Sequence, residues 1–138
     1  MPFITWSEAL SIKVDELNDQ HRLMVEFINE LHDAMILAKS PAVTGRVLAA
    51  LLACTGTHFA TEEHLMTANA YPGFEKHTAE HQALLHQLAV LHTAVVAGNI
   101  SLSSEVLQVL RTWLIDDILG MDSHLGVAVS GRAYSAAD

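Results

Sequence analysis

The sequence predicts an all-α protein, an up-down-up-down antiparallel four-helix bundle preceded by an extended N-terminal arm. The first observation is that helix-breaking residues are few and evenly spaced. Pro41, Pro72 and the Gly98-Asn99 pair divide the chain into four similar segments. The second is that apolar residues recur near a 3.6-residue period in each segment, as they do on one helix face. The third is the shortness of the connections, which makes successive helices antiparallel neighbours.

The chain is expected to begin with an extended arm, residues 1–16, that carries Trp6. Arm and bundle together form one predicted domain, residues 1–125, since 138 residues suffice for a single hydrophobic core. The tail, residues 126–138, is small and polar, and we expect it to fray.

The predicted helices cover residues 18–38, 41–68, 73–97 and 102–124. Ser40 followed by Pro41 is typical of a helix start, because the serine side chain caps a free N–H and proline fits the first helical position. Either Ser101 or Ser103 can cap the last helix. The sequence shows no strictly alternating β-branched run and no Asn-Gly hairpin signal, so no strand is predicted.

Composition and charge exclude several classes of protein. Apolar residues make up 51% of the chain and the mean hydropathy is +0.28, which excludes wholesale disorder. Seven Lys and Arg against sixteen Asp and Glu give a net charge of −9, and such a surface repels nucleic acid. The longest unbroken apolar stretch, Val47–Cys54, is too short to cross a membrane.

The cellular compartment is predicted from cysteine usage and from the N-terminus. The single cysteine, Cys54, excludes an internal disulfide and fits a reducing compartment. It lies on an apolar stripe, where a small buried core residue is expected. The N-terminus lacks a charged region followed by an apolar one, so we expect no signal peptide and a cytoplasmic location.

Histidine is the unusual residue of this chain, which contains nine. His58 with Glu62, and His77 with His81, stand four residues apart, a spacing that puts both side chains on one helix face. His21 shares the inward apolar stripe of the first helix. Because buried imidazoles and carboxylates are costly unless they are paired or bind a metal, the pattern predicts a metal site in the core.

The number of candidate ligands indicates which metal site is expected. Asp122, near the end of the last helix, adds a second carboxylate to Glu62. Four histidines and two carboxylates exceed the needs of one tetrahedral zinc ion and fit a two-iron site. The Glu-x-x-His pattern of ferritin-like di-iron bundles is absent from the sequence.

Several motifs together resemble those of bacterial hemerythrins. They are Trp6 in the arm and the segments DQH (Asp19–His21), HFATEEHLM (His58–Met66), YPGFEKHTAEH (Tyr71–His81) and WLIDDILGMD (Trp113–Asp122), in the family's order and spacing. HFxxEExLM together with YPxxxxHxxxH is a specific combination. The resemblance implies a four-helix bundle that holds two iron ions joined by an oxo or hydroxo bridge and that binds O₂ reversibly at one of them.

For individual residues, the resemblance implies seven metal ligands: His21, His58, Glu62, His77, His81, Asp117 and Asp122. His21 and His58 would hold the iron with an open position. His77 and His81 would hold the closed iron. The carboxylates of Glu62 and Asp122 would bridge the two ions.

Asp117 departs from the family's pattern, which has a histidine there as the third ligand of the closed iron. An aspartate oxygen reaches about 1 Å less far from the backbone than an imidazole Nε2, so direct ligation needs a helix shift or a bridging water. If Asp117 ligates, its charge favours Fe(III) and therefore autoxidation. If it does not reach, the closed iron keeps two histidines and a solvent position. His124 lies about 10 Å further along the axis and is not favoured as a substitute.

The resemblance also indicates where O₂ would bind. Five apolar side chains are expected to line a dry pocket beside the open iron: Trp6, Phe59, Trp113, Leu114 and Ile118. We expect O₂ carriage, storage or delivery, not an enzyme, with O₂ as the partner and neither nucleic acid nor membrane. The alternatives are an O₂- or redox-sensing module and a di-iron oxidase or peroxidase, which the carboxylate of Asp117 favours.

Overall fold

The computed structural model describes residues 2–128, except for the side chain of Ile118. It consists of four long helices, α1 (Asp15–Ile36), α2 (Pro41–Ala68), α3 (Phe74–Val96) and α4 (Ser104–Leu119), and a further helical segment, α5 (residues 121–128). A short 3₁₀ turn, Glu8–Leu10, precedes them, and residues 2–128 contain no strand. The predicted four-helix bundle is confirmed.

The starts of two helices follow from serine caps. Ser40 Oγ accepts a hydrogen bond from the backbone N–H of Val43 at 3.3 Å, and Pro41 occupies the first position of α2. Ser103, not Ser101, caps α4, accepting from Val106 N–H at 3.2 Å. Each cap satisfies an N–H group that the first helical turn leaves without a partner.

The last predicted helix is interrupted at Gly120. The chain leaves helical geometry there, with φ −99° and ψ −102°, and turns helical again from residue 121. A Cβ atom at position 120 would lie 2.6 Å from the carbonyl oxygen of Asp116, so this close approach requires glycine. The interruption separates α4 from α5, the segment that carries Asp122.

The N-terminal arm is held against the bundle by two asparagines. Asn29 accepts from Ile4 N–H at 2.7 Å and donates to Ile4 C=O at 2.8 Å. Asn18 does the same for Ile12, at 2.8 and 2.7 Å. The two asparagine side chains satisfy backbone N–H and C=O groups of the extended arm, as a neighbouring strand would. Ile4, Leu10 and Ile12 of the arm are thereby brought into the core.

The core runs the length of the bundle and is largely aliphatic. Side chains with no measurable exposure fill it: Leu17, Met24, Ile28, Leu31, Leu48, Leu51, Leu107 and Leu114. Helix α2 is central, packing on α1 and on α3, whereas α4 packs more sparsely on α1. By length and hydropathy alone α2 resembles a membrane-crossing helix, as core helices of soluble proteins also do.

The helices do not close evenly around the core. Between α3 and α4 lies an apolar cavity of about 190 Å³, whose walls include Leu84, Leu88, Leu110 and Trp113.

Toward the C-terminus, Leu125 of α5 is fully buried against Met66, and helical geometry extends to residue 128. The rest of the tail expected at 126–138, from residue 129 on, lies outside the described residues.

Candidate metal centre

All seven predicted ligands come together at one end of the bundle, and all are buried. Each helix contributes: His21 from α1, His58 and Glu62 from α2, His77 and His81 from α3, Asp117 from α4 and Asp122 from α5. Their exposed fractions range from 0% to 8%. The four-residue spacing on α2 and on α3 therefore does place both members of each pair on an inward face.

One half of the site, here the His21 group, consists of His21, His58, Asp117 and Asp122. Asp122 Oδ2 lies 2.7 Å from His21 Nε2 and 2.9 Å from His58 Nε2. The two imidazole nitrogens are 3.0 Å apart. Such convergence of two ring nitrogens and a carboxylate oxygen is the arrangement that a cation stabilises.

The other half, here the His77 group, consists of Glu62, His77, His81 and Asp122. His81 Nε2 lies 3.2 Å from Glu62 Oε1, and His77 Nε2 lies 3.6 Å from Glu62 Oε2. The second oxygen of Asp122, Oδ1, is 3.4 Å from His77 Nε2. Two imidazoles and two carboxylates again face one point.

Glu62 and Asp122 each touch both halves. Asp122 turns Oδ2 toward the His21 group and Oδ1 toward His77. Glu62 Oε1 lies 3.2 Å from His58 Nε2 and also 3.2 Å from His81 Nε2. These two carboxylates therefore occupy positions from which they can bridge two metal ions.

Asp117 reaches the site beside the histidine of α2. Its Oδ2 is 3.8 Å from His58 Nε2, and it belongs to the His21 group, not to the His77 group where the family's pattern has a third histidine. The short aspartate side chain ends beside the α2 histidine, whereas a longer imidazole at this position would extend further across the site. The structure thus brings Asp117 to the site, with His58 as its neighbour.

Two residues that the sequence pattern does not single out orient the histidines from outside. His58 Nδ1 is 2.8 Å from Gln20 Oε1, and the Gln20 amide donates to Thr61 Oγ at 2.9 Å. His81 Nδ1 is 3.0 Å from Glu63 Oε2. Each bond fixes the ring so that Nε2 faces inward. Both residues are adjacent to predicted ligands in the sequence, in DQH and in TEEH, and this adjacency was the available signal.

Several buried polar atoms of the site have no hydrogen-bond partner within the described residues. They are both oxygens of Glu62, Nε2 of His77 and of His81, Oδ2 of Asp117 and Oδ1 of Asp122. A buried polar atom without a partner costs about 1–3 kcal/mol, so such a cluster is unstable as ordinary packing. Imidazole nitrogen and carboxylate oxygen together suit iron, and the residues present fit two metal ions.

Burial and mutual charge perturb the pKa values of the metal-free site. Burial raises the pKa of Glu62 to about 10 and lowers the pKa of His81 to about 4. Burial also raises the pKa of Asp117 to about 7. For His58, burial is outweighed by the nearby carboxylates of Asp117, Asp122 and Glu62, which raise its pKa well above the usual value.

The residues expected to line an O₂ pocket differ from one another in their burial and in their contacts. Phe59 is buried and stacks on His81 with ring centroids 3.8 Å apart, and Leu114 is fully buried. Trp113 is half-buried and meets Phe59 edge-on at 6.4 Å. Trp6 packs under the guanidinium of Arg22 at 5.0 Å. The side chain of Ile118 lies outside the described part of the chain.

Comparison with known proteins agrees with this architecture. The chain is 33% identical over 122 residues to a bacteriohemerythrin of Stenotrophomonas maltophilia, covering 88% of this chain and 78% of that protein. It is 30% identical to a bacteriohemerythrin of Methylococcus capsulatus, covering 94% and 99%. Against the crystal structure of wild-type hemerythrin the TM-score is 0.85, with 29% identity over 93% of this chain and 98% of that chain.

The family model named Hemerythrin HHE cation binding domain matches residues 12–129, which include all seven candidate ligands. The matched region thus contains the bundle and both donor groups described above. The chain belongs to the hemerythrin family.

Proposed function

We propose that this protein is a non-haem di-iron protein that binds O₂ reversibly, for carriage, storage or delivery. The observation that carries the proposal is the pair of buried donor groups joined by Glu62 and Asp122. When bound, two iron ions joined by an oxo or hydroxo bridge would supply the two electrons needed for reversible O₂ binding. Membership of the hemerythrin family supports iron over other metals.

The proposed role of the chain's own residues follows from their positions. Four histidines and Asp117 would be terminal ligands, and Glu62 and Asp122 would bridge. Phe59 and Leu114, both buried, would keep water away from the site and so slow proton delivery to O₂. Gln20 and Glu63 would hold His58 and His81 in orientation.

The experiment that tests this function is an oxygenation cycle. Protein reconstituted anaerobically with Fe(II) is mixed with O₂, and its visible absorption is followed before and after degassing. We expect a stable oxygenated band that disappears on degassing and returns with fresh O₂. Rapid, irreversible conversion to a ferric spectrum would contradict reversible carriage.

A second function, that of a di-iron oxidase or peroxidase, is favoured by Asp117. Its carboxylate adds negative charge to the site, and anionic oxygen ligands stabilise Fe(III). Replacing it by histidine, Asp117→His, should therefore slow autoxidation of the oxygenated form. If the native protein consumes peroxide and bleaches while the histidine variant does not, the enzymatic function is the better description.

We further propose that the protein acts in the cytoplasm, with O₂ as its ligand. Its one cysteine, Cys54, is half-buried, and burial raises the pKa of this thiol, which reduces its reactivity. The net charge of −9 argues against binding to nucleic acid.

A further inference from the structure

Solvent reaches the metal centre mainly at one of its seven candidate ligands, Asp117. This residue is 8% exposed, whereas the other six are 0% to 1% exposed. Its Oδ2 atom is buried without a hydrogen-bond partner within residues 2–128, and it lies 3.8 Å from His58 Nε2. Asp117 is therefore the ligand at which solvent and the donor groups meet.

A cavity of about 460 Å³ connects Asp117 with the protein surface between α3 and α4. Two further carboxylates border this cavity, Glu80 of α3 and Asp116 of α4, and both residues are exposed. In the described part of the chain, α3 and α4 make few contacts with each other, which leaves the entrance between them open. The cavity thus has one carboxylate on each helix at its mouth and a third, which belongs to the donor set, at its inner end.

The charge of this cavity suits a cation. Among the described residues, the only cationic side chain on its border is that of Lys76, and Glu80 and Asp116 outnumber it even without Asp117. Trp113 supplies an apolar wall. A cleft that combines charge of one sign with walls of low dielectric constant raises the association rate of oppositely charged ions by about 10- to 1000-fold. A divalent cation is therefore attracted into the cavity, toward Asp117.

The other cavity near the site suits a cation less well. It measures about 170 Å³ and lies beside His77, and its lining consists of Tyr71, Gly73, Lys76, His77, Met121 and His124. None of these side chains is a carboxylate, and Lys76 borders both cavities. The carboxylates of the larger cavity are thus what distinguishes the two as routes for a cation.

We infer that divalent metal ions enter the site between α3 and α4, through the cavity that ends at Asp117. Glu80 and Asp116 attract the hydrated ion at the surface, and Asp117 accepts it and passes it to His58, 3.8 Å away. Carboxylate oxygens suit this role because they bind hard divalent cations that still hold part of their water. The inference rests on the proposed two-metal function and adds to it the route by which the site is loaded.

The first test is the rate of Co(II) uptake by metal-stripped protein, followed by the visible absorption of the bound ion after rapid mixing. The double variant Glu80→Gln/Asp116→Asn removes both surface charges and keeps the shapes of the side chains. Its matched control, Glu75→Gln/Glu105→Gln, removes two exposed charges from the same two helices outside the cavity. At low ionic strength we expect uptake at least about tenfold slower in the first variant and within about twofold of the native rate in the control. Added salt should slow the native protein more than the first variant, because salt screens the attraction.

A second test blocks the passage by size. Ala83 is exposed and borders the cavity, whereas Ala79, which is also exposed, lies one turn earlier on α3 and does not border it. We expect Ala83→Trp to slow uptake at least about tenfold, at high as well as at low ionic strength. Ala79→Trp, the matched control, should load at the native rate.

Native-like uptake by Glu80→Gln/Asp116→Asn or by Ala83→Trp would overturn the inference, and so would equal slowing by either variant and its control. The final cobalt content should be the same in all proteins, because none of the substituted residues belongs to the donor groups. A lower final content in either test variant would contradict a role in entry alone. Fewer than two ions per chain in the native protein would count against the proposed function itself, which separates that failure from a wrong route.

Discussion

Gln20 and Glu63 hold two of the site histidines with different chemistry. The neutral amide of Gln20 accepts at His58 Nδ1, whereas the carboxylate of Glu63 faces His81 Nδ1. A carboxylate partner makes the imidazole a stronger donor to a metal than an amide does. His81 of the His77 group therefore has the charged partner, whereas His58 of the His21 group has a neutral one.

Neutralising that partner tests its contribution. Glu63→Gln keeps an acceptor near His81 but removes the charge, so we expect the affinity for the metal bound by the His77 group to fall about tenfold. Competition with a chromophoric chelator for Co(II) measures this affinity. Glu75→Gln, an exposed change on α3 outside the described donor groups, is the control. Equal affinities for the native protein and Glu63→Gln would show that Glu63 has no influence on the metal.

At the scale of single residues, the sequence predicts the ligands better than it predicts their neighbours. Pairs such as His58–Glu62 are predictable because helical spacing alone fixes a common face. The side on which Asp117 lies depends on the length of its side chain and on the end of α4, which periodicity does not encode. Gln20 and Glu63 escaped prediction because a hydrogen bond depends on rotamers.

At the scale of helices, the sequence pattern does not predict the interruption at Gly120. Apolar periodicity continues through this position, so a single helix is predicted over 102–124. The close approach of Gly120 to the carbonyl of Asp116 becomes apparent only in three dimensions. The starts of α2 and α4 are predictable, in contrast, because serine capping is a local effect.

This interruption should be essential for metal binding. In Gly120→Ala the new Cβ would meet Asp116 O at 2.6 Å, so α5 and its Asp122 must shift. We expect the free energy of unfolding to fall by about 1–3 kcal/mol and metal retention to fall with it. Chemical denaturation and elemental analysis measure the two effects.

Gly56→Ala provides the matched control, because a Cβ at this position of α2 has no heavy atom within 4 Å. Alanine favours helix over glycine by about 1 kcal/mol, so this variant should be more stable and should bind metal normally. If both alanine variants behave alike, the argument from the close approach at Gly120 fails.

At the scale of the whole molecule, the metal-free and metal-loaded proteins should respond oppositely to pH. The pKa of Glu62 in the folded metal-free protein is about 10, above its usual value, so the folded state holds this proton more tightly than the unfolded state. The stability that this proton contributes is present at low pH and is lost as pH rises toward 10. His81, with its pKa lowered to about 4, opposes this trend only below its usual value of 6.5.

We therefore expect the melting temperature of the metal-free protein to fall between about pH 7 and pH 9. Metal binding requires deprotonated carboxylates and releases protons, so the metal-loaded protein should gain affinity over the same range. Thermal melts of both forms, and proton release measured calorimetrically in two buffers, check this. A metal-free protein whose stability rises steadily through this range would contradict the buried, protonated state of Glu62.

The central claim is that two metal ions share the carboxylates of one buried site, and the iron content of two variants tests it most directly. Glu62 faces both donor groups, whereas His21 belongs to one. After anaerobic reconstitution with excess Fe(II), we predict two irons per chain in the native protein, loss of both in Glu62→Ala, and loss of mainly one in His21→Ala. Folded native protein that takes up no iron, or equal and complete loss in both variants, would contradict the claim.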